Sequence, residues 1–312
     1  MLKVIRVEKT MAEIHYDLGQ QWILNATLAL MVLGISLDVQ PRQFIAVLKA
    51  PKASLIALVS QFLLLPAFTF ILTLVLELPA GIELGMILVA ACPGGALSNF
   101  ITHLSGGNTA LSMSVTAISS SVAVIMLPVN FLFWASLNPV ANELLIAIDV
   151  ESSEILKMLI LVLAIPLTMG FLCQHYLPKF SQKLHVFLKY VSVLILFVFI
   201  AVAVIRNYEH FITHFWLLFA AVLMHNALAL SIGYISSDVA GLSIADKKAI
   251  TLEVGMQNSS LAIAIVFTQF DAEYGMALIS AFWGTWHIVS GLAFAVLTRG
   301  VRDEQKVEEV AL

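Results

Sequence analysis

The sequence predicts an all-α, polytopic membrane protein. Three observations lead there. Of 312 residues, 60% are hydrophobic and only 12% are charged, where soluble domains carry about 25% charge. The mean hydropathy is +0.97. The apolar residues are gathered into runs of bilayer-spanning length, separated by short polar hinges. In hydrocarbon such runs form helices, because the backbone must satisfy its own hydrogen bonds. A net charge of -4 carries little weight, since the charges fall in hinges and tails. Cys92 and Cys173 both lie inside apolar runs and form neither a disulfide framework nor a metal pair. The chain has no CxxC motif and no phosphate-binding glycine loop.

Residues 1–20 are mixed in charge and lack the apolar stretch of a signal peptide. They are expected to form a short tail. Nine apolar segments follow, at about 21–37, 53–77, 82–104, 109–137, 154–177, 183–205, 211–235, 246–270 and 274–298. Leu78-Pro79-Ala80-Gly81, Ser105-Gly106-Gly107-Asn108 and Arg206-Asn207-Tyr208-Glu209 separate several of them. The acidic stretch Glu143, Asp149, Glu151, Glu154 reads as a solvated outer loop. Residues 299–312 read as a basic anchor followed by an acidic tail.

Orientation follows from Lys and Arg. One side of a nine-span chain collects Arg42, Lys49, Lys52, Lys179, Lys183, Lys189, Lys247, Lys248, Arg299, Arg302 and Lys306. The other collects Lys3, Arg6, Lys9, Lys157 and Arg206. The richer side is expected in the cytoplasm of a cell-membrane protein, with the N-terminus outside and the C-terminus inside.

Two segments are interrupted alike. Segment 82–104 holds Cys92-Pro93-Gly94-Gly95-Ala96-Leu97-Ser98-Asn99. Proline removes a helix N–H and clashes one turn back, and two glycines favour leaving the helix. Segment 246–270 holds Glu253-Val254-Gly255-Met256-Gln257-Asn258-Ser259-Ser260, a polar island in hydrocarbon. A single ionised carboxylate there costs about 2.5–3.5 kcal/mol on insertion scales. Each interrupted span follows a span with a buried amide, Gln61 or Asn226, and precedes a long span. Segments 53–137 and 211–298 therefore share one layout and start from opposite faces. That is an inverted repeat, and paired interruptions in such halves point to a transporter's binding site.

The two breaks would gather oxygen. The first gives Ser98 and Asn99, and the next span adds Ser112 and Thr116 on one helical face. The second gives Glu253, Gln257, Asn258 and freed carbonyls near Val254 and Met256. Gln61 comes from the span before the first break. Such a set suits a hard cation, and one carboxylate is too little charge for a divalent ion. It suits Na⁺. The spans hold no central Lys or Arg, so an anionic substrate would meet half-helix N-termini, Asn258 and His287.

Several of these residues also have plainer readings. Ser112 and Thr116 taken alone could serve helix packing. His225-Asn226 reads first as a pair that only joins helices. Proton coupling through Glu253 is the alternative to sodium. An intramembrane enzyme using Glu253 and His287 lacks a nucleophile or metal triad at recognisable spacing.

Cys92-Pro93-Gly94-Gly95-x-x-Ser98-Asn99, the Ser112/Thr116 pair, Glu253-Val254-Gly255-Met256-Gln257-Asn258 and Trp286-His287 resemble the bile acid:sodium symporter family, over about residues 21–298. The resemblance implies a sodium-coupled symporter for an organic anion, bile-acid-like or a small carboxylate or keto acid. It implies two crossed discontinuous helices in a core domain (53–137 and 211–298) and a panel domain (21–37, 154–177 and 183–205). It implies two Na⁺ ions. Ser98, Asn99, Ser112, Thr116 and Glu253 would hold the first. Gln61, Glu253, Val254, Met256 and Gln257 would hold the second, with Glu253 bridging. Ala96, Asn258, His287 and Ile288 would face the substrate. Ala96 stands where the family often has a hydroxyl residue, and Ile288 where bacterial relatives often have Asn. Nine spans resemble the animal members; many bacterial ones have a tenth. The expected partners are the anion and the lipid bilayer, with no nucleic acid and no obligatory protein partner.

Overall fold

The computed structural model describes residues 18–37, 41–147, 152–206 and 208–300. The tails predicted at 1–20 and 299–312 lie almost wholly outside these residues. Among them the chain forms fourteen α-helices and one π-helical turn. In order these are α1 (Leu18–Ser36), α2 (Pro41–Lys49), α3 (Pro51–Val59), the π-turn (Ser60–Leu64), α4 (Leu65–Leu76), α5 (Ala80–Ala91), α6 (Ala96–Ser105), α7 (Thr109–Leu137), α8 (Pro139–Ala147), α9 (Ser152–Tyr176), α10 (Pro178–Arg206), α11 (Tyr208–Val239), α12 (Ile244–Gly255), α13 (Ser259–Gln269) and α14 (Tyr274–Thr298). The fold is all-α, and the expected class holds. Among the described residues, five stretches can cross a membrane by length and composition: 51–76, 109–137, 155–176, 215–239 and 274–298. α5 and α13 are shorter apolar helices.

Each boundary has a local cause. Pro93 follows α5, whose C-cap Cys92 is already extended. α6 closes on Gly106, at φ 72°, the left-handed cap that glycine adopts without a Cβ penalty. Asn108 caps α7 by accepting from Leu111 N at 3.0 Å, and Ser243 caps α12 by accepting from Asp246 N at 3.2 Å. Asn258 caps α13 through Leu261 N at 3.1 Å, and Glu273 caps α14 through Met276 N at 2.7 Å. The π-turn has a cause too. Pro66 has no N–H to give to Phe62, so the helix widens by a residue one turn earlier, and Leu65 N bonds Ser60 O.

Three expectations change. The connection after the first segment contains α2. The acidic stretch read as a loop is partly helical: Glu143 sits exposed on α8, which turns Ala141 and Leu145 inward. Asp149 and Glu151 lie outside the described residues. Lys248, counted among the basic residues of the cytoplasmic side, is buried in α12, and its Nζ donates to Ser105 O at 2.9 Å. It caps the C-terminus of α6, where carbonyls lack helical partners and favour a cation.

α5, α6, α12 and α13 meet in the middle of the molecule and are packed by α7, α11 and α14. α1, α9 and α10 pack on one another, against α7 and α13, and α10 also meets α14. The outer faces are apolar and exposed, as at Leu55, Leu63, Phe68, Ile71 and Val75 along α3, the π-turn and α4. A soluble protein would bury a patch of that kind; in a bilayer it meets lipid.

A candidate cation site at two crossed helix breaks

The two breaks lie against each other as short antiparallel strands. Gly94 and Gln257 form an isolated β-bridge. Gly95 N donates to Met256 O at 2.8 Å, and Asn258 N donates to Pro93 O at 2.9 Å. Backbone groups freed by one break are thus satisfied by the other, which is how unwound chain is tolerated at membrane depth.

The crossing brings Glu253 against the first break. Ser98 Oγ donates to Glu253 Oε2 at 2.7 Å. Thr116 Oγ1 lies 2.8 Å and 2.7 Å from the two carboxylate oxygens, and Ser112 Oγ lies 3.4 Å from Oε2. Asn99 Oδ1 accepts from Ser112 Oγ at 2.7 Å and from Thr116 Oγ1 at 3.1 Å. Ser98, Asn99, Ser112, Thr116 and Glu253 therefore converge as a single group of oxygens. Ser98, Ser112 and Glu253 are fully buried. The bonds that Glu253 makes here are to hydroxyls, with no basic side chain among them.

Gly94 is what admits the carboxylate. A Cβ at Gly94 would lie 2.1 Å from Glu253 Oε1 and 2.7 Å from Cδ. The second glycine is less demanding, its nearest neighbour being Gln257 O at 3.3 Å.

A second polar group lies on the other side of the crossing. The π-turn aims Gln61 inward, where its Nε2 donates to Cys92 O and to Gln257 Oε1, each at 2.7 Å. Gln257 Nε2 returns a bond to Gln61 Oε1 at 3.1 Å and donates to Val254 O at 2.6 Å. Met256 O is held by Gly95 N. Gln61, Gln257 and the Val254 and Met256 carbonyls surround the second break. The side-chain bonds of Glu253 run to the first group.

The four residues expected to face substrate separate. Ala96 is exposed at the start of α6, two residues before Ser98. Asn258 is buried, and its oxygen is engaged by Leu261 N and by Ser260 Oγ at 2.7 Å. His287 is buried in α14. Ile288, 38% exposed, points outward with Leu292 and Val296, away from the buried face that carries His287.

The sequence reading missed two features here. A latch ties the α6–α7 turn to the start of α12: Asn108 Nδ2 donates to Asp246 Oδ1 at 2.7 Å, and Asn108 N donates to Ala245 O at 2.9 Å. The Ser243-x-x-Asp246 spacing was a readable capping signal. The other is Ser120, one turn beyond Thr116. Its buried hydroxyl has no hydrogen-bond partner among the described residues and borders a small cavity with Val32, Pro93, Ala123, Leu163 and Leu261.

The donor set fits a monovalent hard cation. It offers hydroxyls, amide oxygens and carbonyls with one carboxylate. Among the described residues no three His, Cys, Asp or Glu side chains gather as a metal cluster. An all-α membrane protein with such a set between crossed breaks belongs to the class of secondary transporters.

Comparison with known proteins narrows this. The sodium bile acid symporter family matches residues 26–214, and the chain belongs to that family. It is 31% identical to an uncharacterized sodium-dependent transporter, YocS, of Bacillus subtilis, over 88% of this chain and 83% of the relative. It is 28% identical to the probable sodium/metabolite cotransporter BASS1, chloroplastic, of Arabidopsis thaliana, over 80% of this chain and 59% of the relative. It is 24% identical to the human ileal sodium/bile acid cotransporter, over 80% and 70%. The chain is a membrane transporter and not an enzyme.

Proposed function

We propose that the protein is a sodium-coupled symporter that imports an organic anion by alternating access. The observation that carries this is the buried Glu253 carboxylate facing Ser98, Asn99, Ser112 and Thr116 with no basic partner among its bonds. A buried carboxylate is costly unless a cation joins it. Na⁺ held by this group would supply that charge. A second Na⁺ would use Gln61, Gln257 and the Val254 and Met256 carbonyls, with Glu253 bridging through its place beside Val254.

The chain would then form two inverted repeats, 53–137 and 211–298, within nine spans. They would make a core domain that moves against a panel of α1, α9 and α10. The N-terminus would lie outside and the C-terminus in the cytoplasm. The anion, a bile-acid-like compound or a small carboxylate or keto acid, would bind beside the N-termini of α6 and α13. There it would meet Ala96 and the Asn258 amide, with His287 nearby. The apolar cavity at Pro93, between α7 and the panel, would open to admit its body. Sodium must bind first, because without it the anion would face Glu253.

The driving force is adequate. Two Na⁺ with one monoanion carry one net positive charge, worth about 2.3 kcal/mol per 100 mV. A tenfold sodium gradient adds about 1.4 kcal/mol per ion. The sum, roughly 5 kcal/mol, supports accumulation on the order of several thousandfold.

The test is uptake into proteoliposomes at fixed pH with choline in place of Na⁺. Loss of uptake is expected. Uptake unchanged in choline but driven by a pH gradient would transfer the coupling role to a proton on Glu253. For the substrate, organic anions are screened by thermal shift with and without Na⁺. A shift that requires Na⁺ names the anion class.

A further inference from the structure

Two amides do the same thing at the two breaks. Gln61 Nε2 donates to Cys92 O at 2.7 Å. Asn226 Nδ2, on α11, donates to Gly255 O at 2.8 Å. The two carbonyls are counterparts. The crossing pairs Pro93 O with Asn258 N and Met256 O with Gly95 N. In that register Cys92 and Gly255 each stand one residue before the paired stretch. Both amides are buried, and each comes from the span that precedes its break.

Gln61 belongs to the proposed second cation group, whereas Asn226 has no place in either. We infer that Asn226 is a positioning residue for sodium: it holds the Gly255 carbonyl toward α11 and so leaves the flanking Val254 and Met256 carbonyls turned to the crossing. This rests on the reading that those two carbonyls ligate Na⁺. An unwound turn has no intrahelical bonds to fix the direction of its carbonyls. Three consecutive ones meet three different donors here. Val254 O meets Gln257 Nε2, Gly255 O meets Asn226 Nδ2 and Met256 O meets Gly95 N. Removing the middle donor leaves Gly255 O buried and unsatisfied, a state the turn escapes only by rotating its peptide units, which swings the neighbours away.

The residue beside it makes the support stiff. His225 Nε2 shares a hydrogen bond with Thr69 Oγ1 of α4 at 2.8 Å. Its ring packs on Trp283 of α14, centroid to centroid 4.5 Å. At this level α11 is tied to two neighbours, so Asn226 cannot follow Gly255 if the turn shifts. A residue that merely joined helices would need no partner at the one carbonyl that corresponds to Cys92.

The experiment is a sodium titration of detergent-purified full-length protein, read by thermal melting with choline replacing Na⁺ at constant ionic strength. Sodium-dependent uptake of a labelled keto acid or bile acid, whichever raises wild-type melting only in Na⁺, is measured in parallel at saturating concentration. Asn226→Leu keeps the volume and removes the donor. Its sodium midpoint is expected to rise about tenfold, because binding must then restore the carbonyl directions that the lost hydrogen bond held, at roughly the net worth of that bond. Melting in choline should fall as well, because Gly255 O loses its donor with or without the ion, while the substrate KM at saturating Na⁺ should stay near wild type. Asn226→Gln retains an amide donor and should recover part of the sodium affinity. If the leucine variant does not fold, the same titration is read on Asn226→Ala. A wild-type sodium midpoint in the folded variant overturns the inference. So does an equal rise in the substrate KM at saturating Na⁺. If wild-type protein melts identically in Na⁺ and choline, the sodium reading itself falls; if only the variant matches wild type, the role of Asn226 alone falls.

Discussion

Gly94→Ala should impair sodium binding far more than Gly95→Ala, although the two changes are adjacent and chemically identical. At Gly94 the added methyl would sit 2.1 Å from Glu253 Oε1, a separation that carbon and oxygen do not tolerate. Relief requires a displacement of about 1 Å or more, since ordinary non-bonded contacts begin near 3.5 Å. The carboxylate is held at 2.7 Å by Ser98 and at 2.7–2.8 Å by Thr116. A shift of that size carries both hydroxyls beyond hydrogen-bond range and opens the first oxygen group. Hydrogen bonds to a charged group contribute about 1.5–3 kcal/mol each. Losing even one raises the sodium midpoint roughly ten- to a hundredfold. At Gly95 the same methyl meets Gln257 O at 3.3 Å, which a few tenths of an ångström would relieve, and the expected change is under about threefold. Sodium-dependent melting and uptake would be compared for both variants with wild type. Equal midpoints for Gly94→Ala and Gly95→Ala, or a wild-type midpoint at Gly94→Ala, would show that the carboxylate does not depend on the gap left by the missing Cβ.

Further outcomes test other parts of the site. Glu253→Ala should abolish sodium-dependent uptake while the protein still inserts; near-wild-type uptake would remove the carboxylate from the coupling. Ala96→Thr places a hydroxyl at the exposed start of α6 and should alter relative uptake of different anions with little change in sodium midpoint. A shift confined to sodium would place Ala96 outside the substrate cavity. Asn108→Ala removes the cap of α7 and the bond to Asp246. It should cost about 1–2 kcal/mol of stability, seen as a lower melting temperature, and an unchanged melt would mean the latch is already satisfied by water.

The positions of the breaks were legible in the sequence because their causes are local. Pro93 deletes a backbone donor wherever it stands, and Gly94-Gly95 adds no side-chain reason to stay helical. The polar run from Glu253 to Ser260 is anomalous in any apolar segment. The oxygen-rich character of the site was legible for the same reason, since residue type alone decides donor chemistry. That the two breaks would gather these residues followed from the paired interruptions, and their division into two ion sites came from resemblance to a family. No rule of spacing could supply it: Ser98 and Glu253 are 155 positions apart.

Some local signals were overridden or too weak to read. α2 and α8 are short helices in stretches taken for loops, where turn-like polar residues masked a buried face at Ala141 and Leu145. Lys248 was counted toward the basic side by charge alone. Its buried ammonium is tolerated because the C-terminus of α6 ends beside it, a neighbour that only the folded chain supplies.

By itself, then, the sequence determined an all-α membrane protein with two interrupted spans and one buried carboxylate among oxygen donors. Hydropathy and backbone chemistry act along the chain, and a single chain displays them. Tertiary structure decided what the interruptions face. It laid Gly94 against Gln257, set Glu253 in the space of a missing Cβ, and gave Cys92 O and Gly255 O an amide each. These are contacts between separate helices, fixed by the angle and register at which the helices cross. Crossing geometry depends on how every helix packs at once, which no single segment encodes.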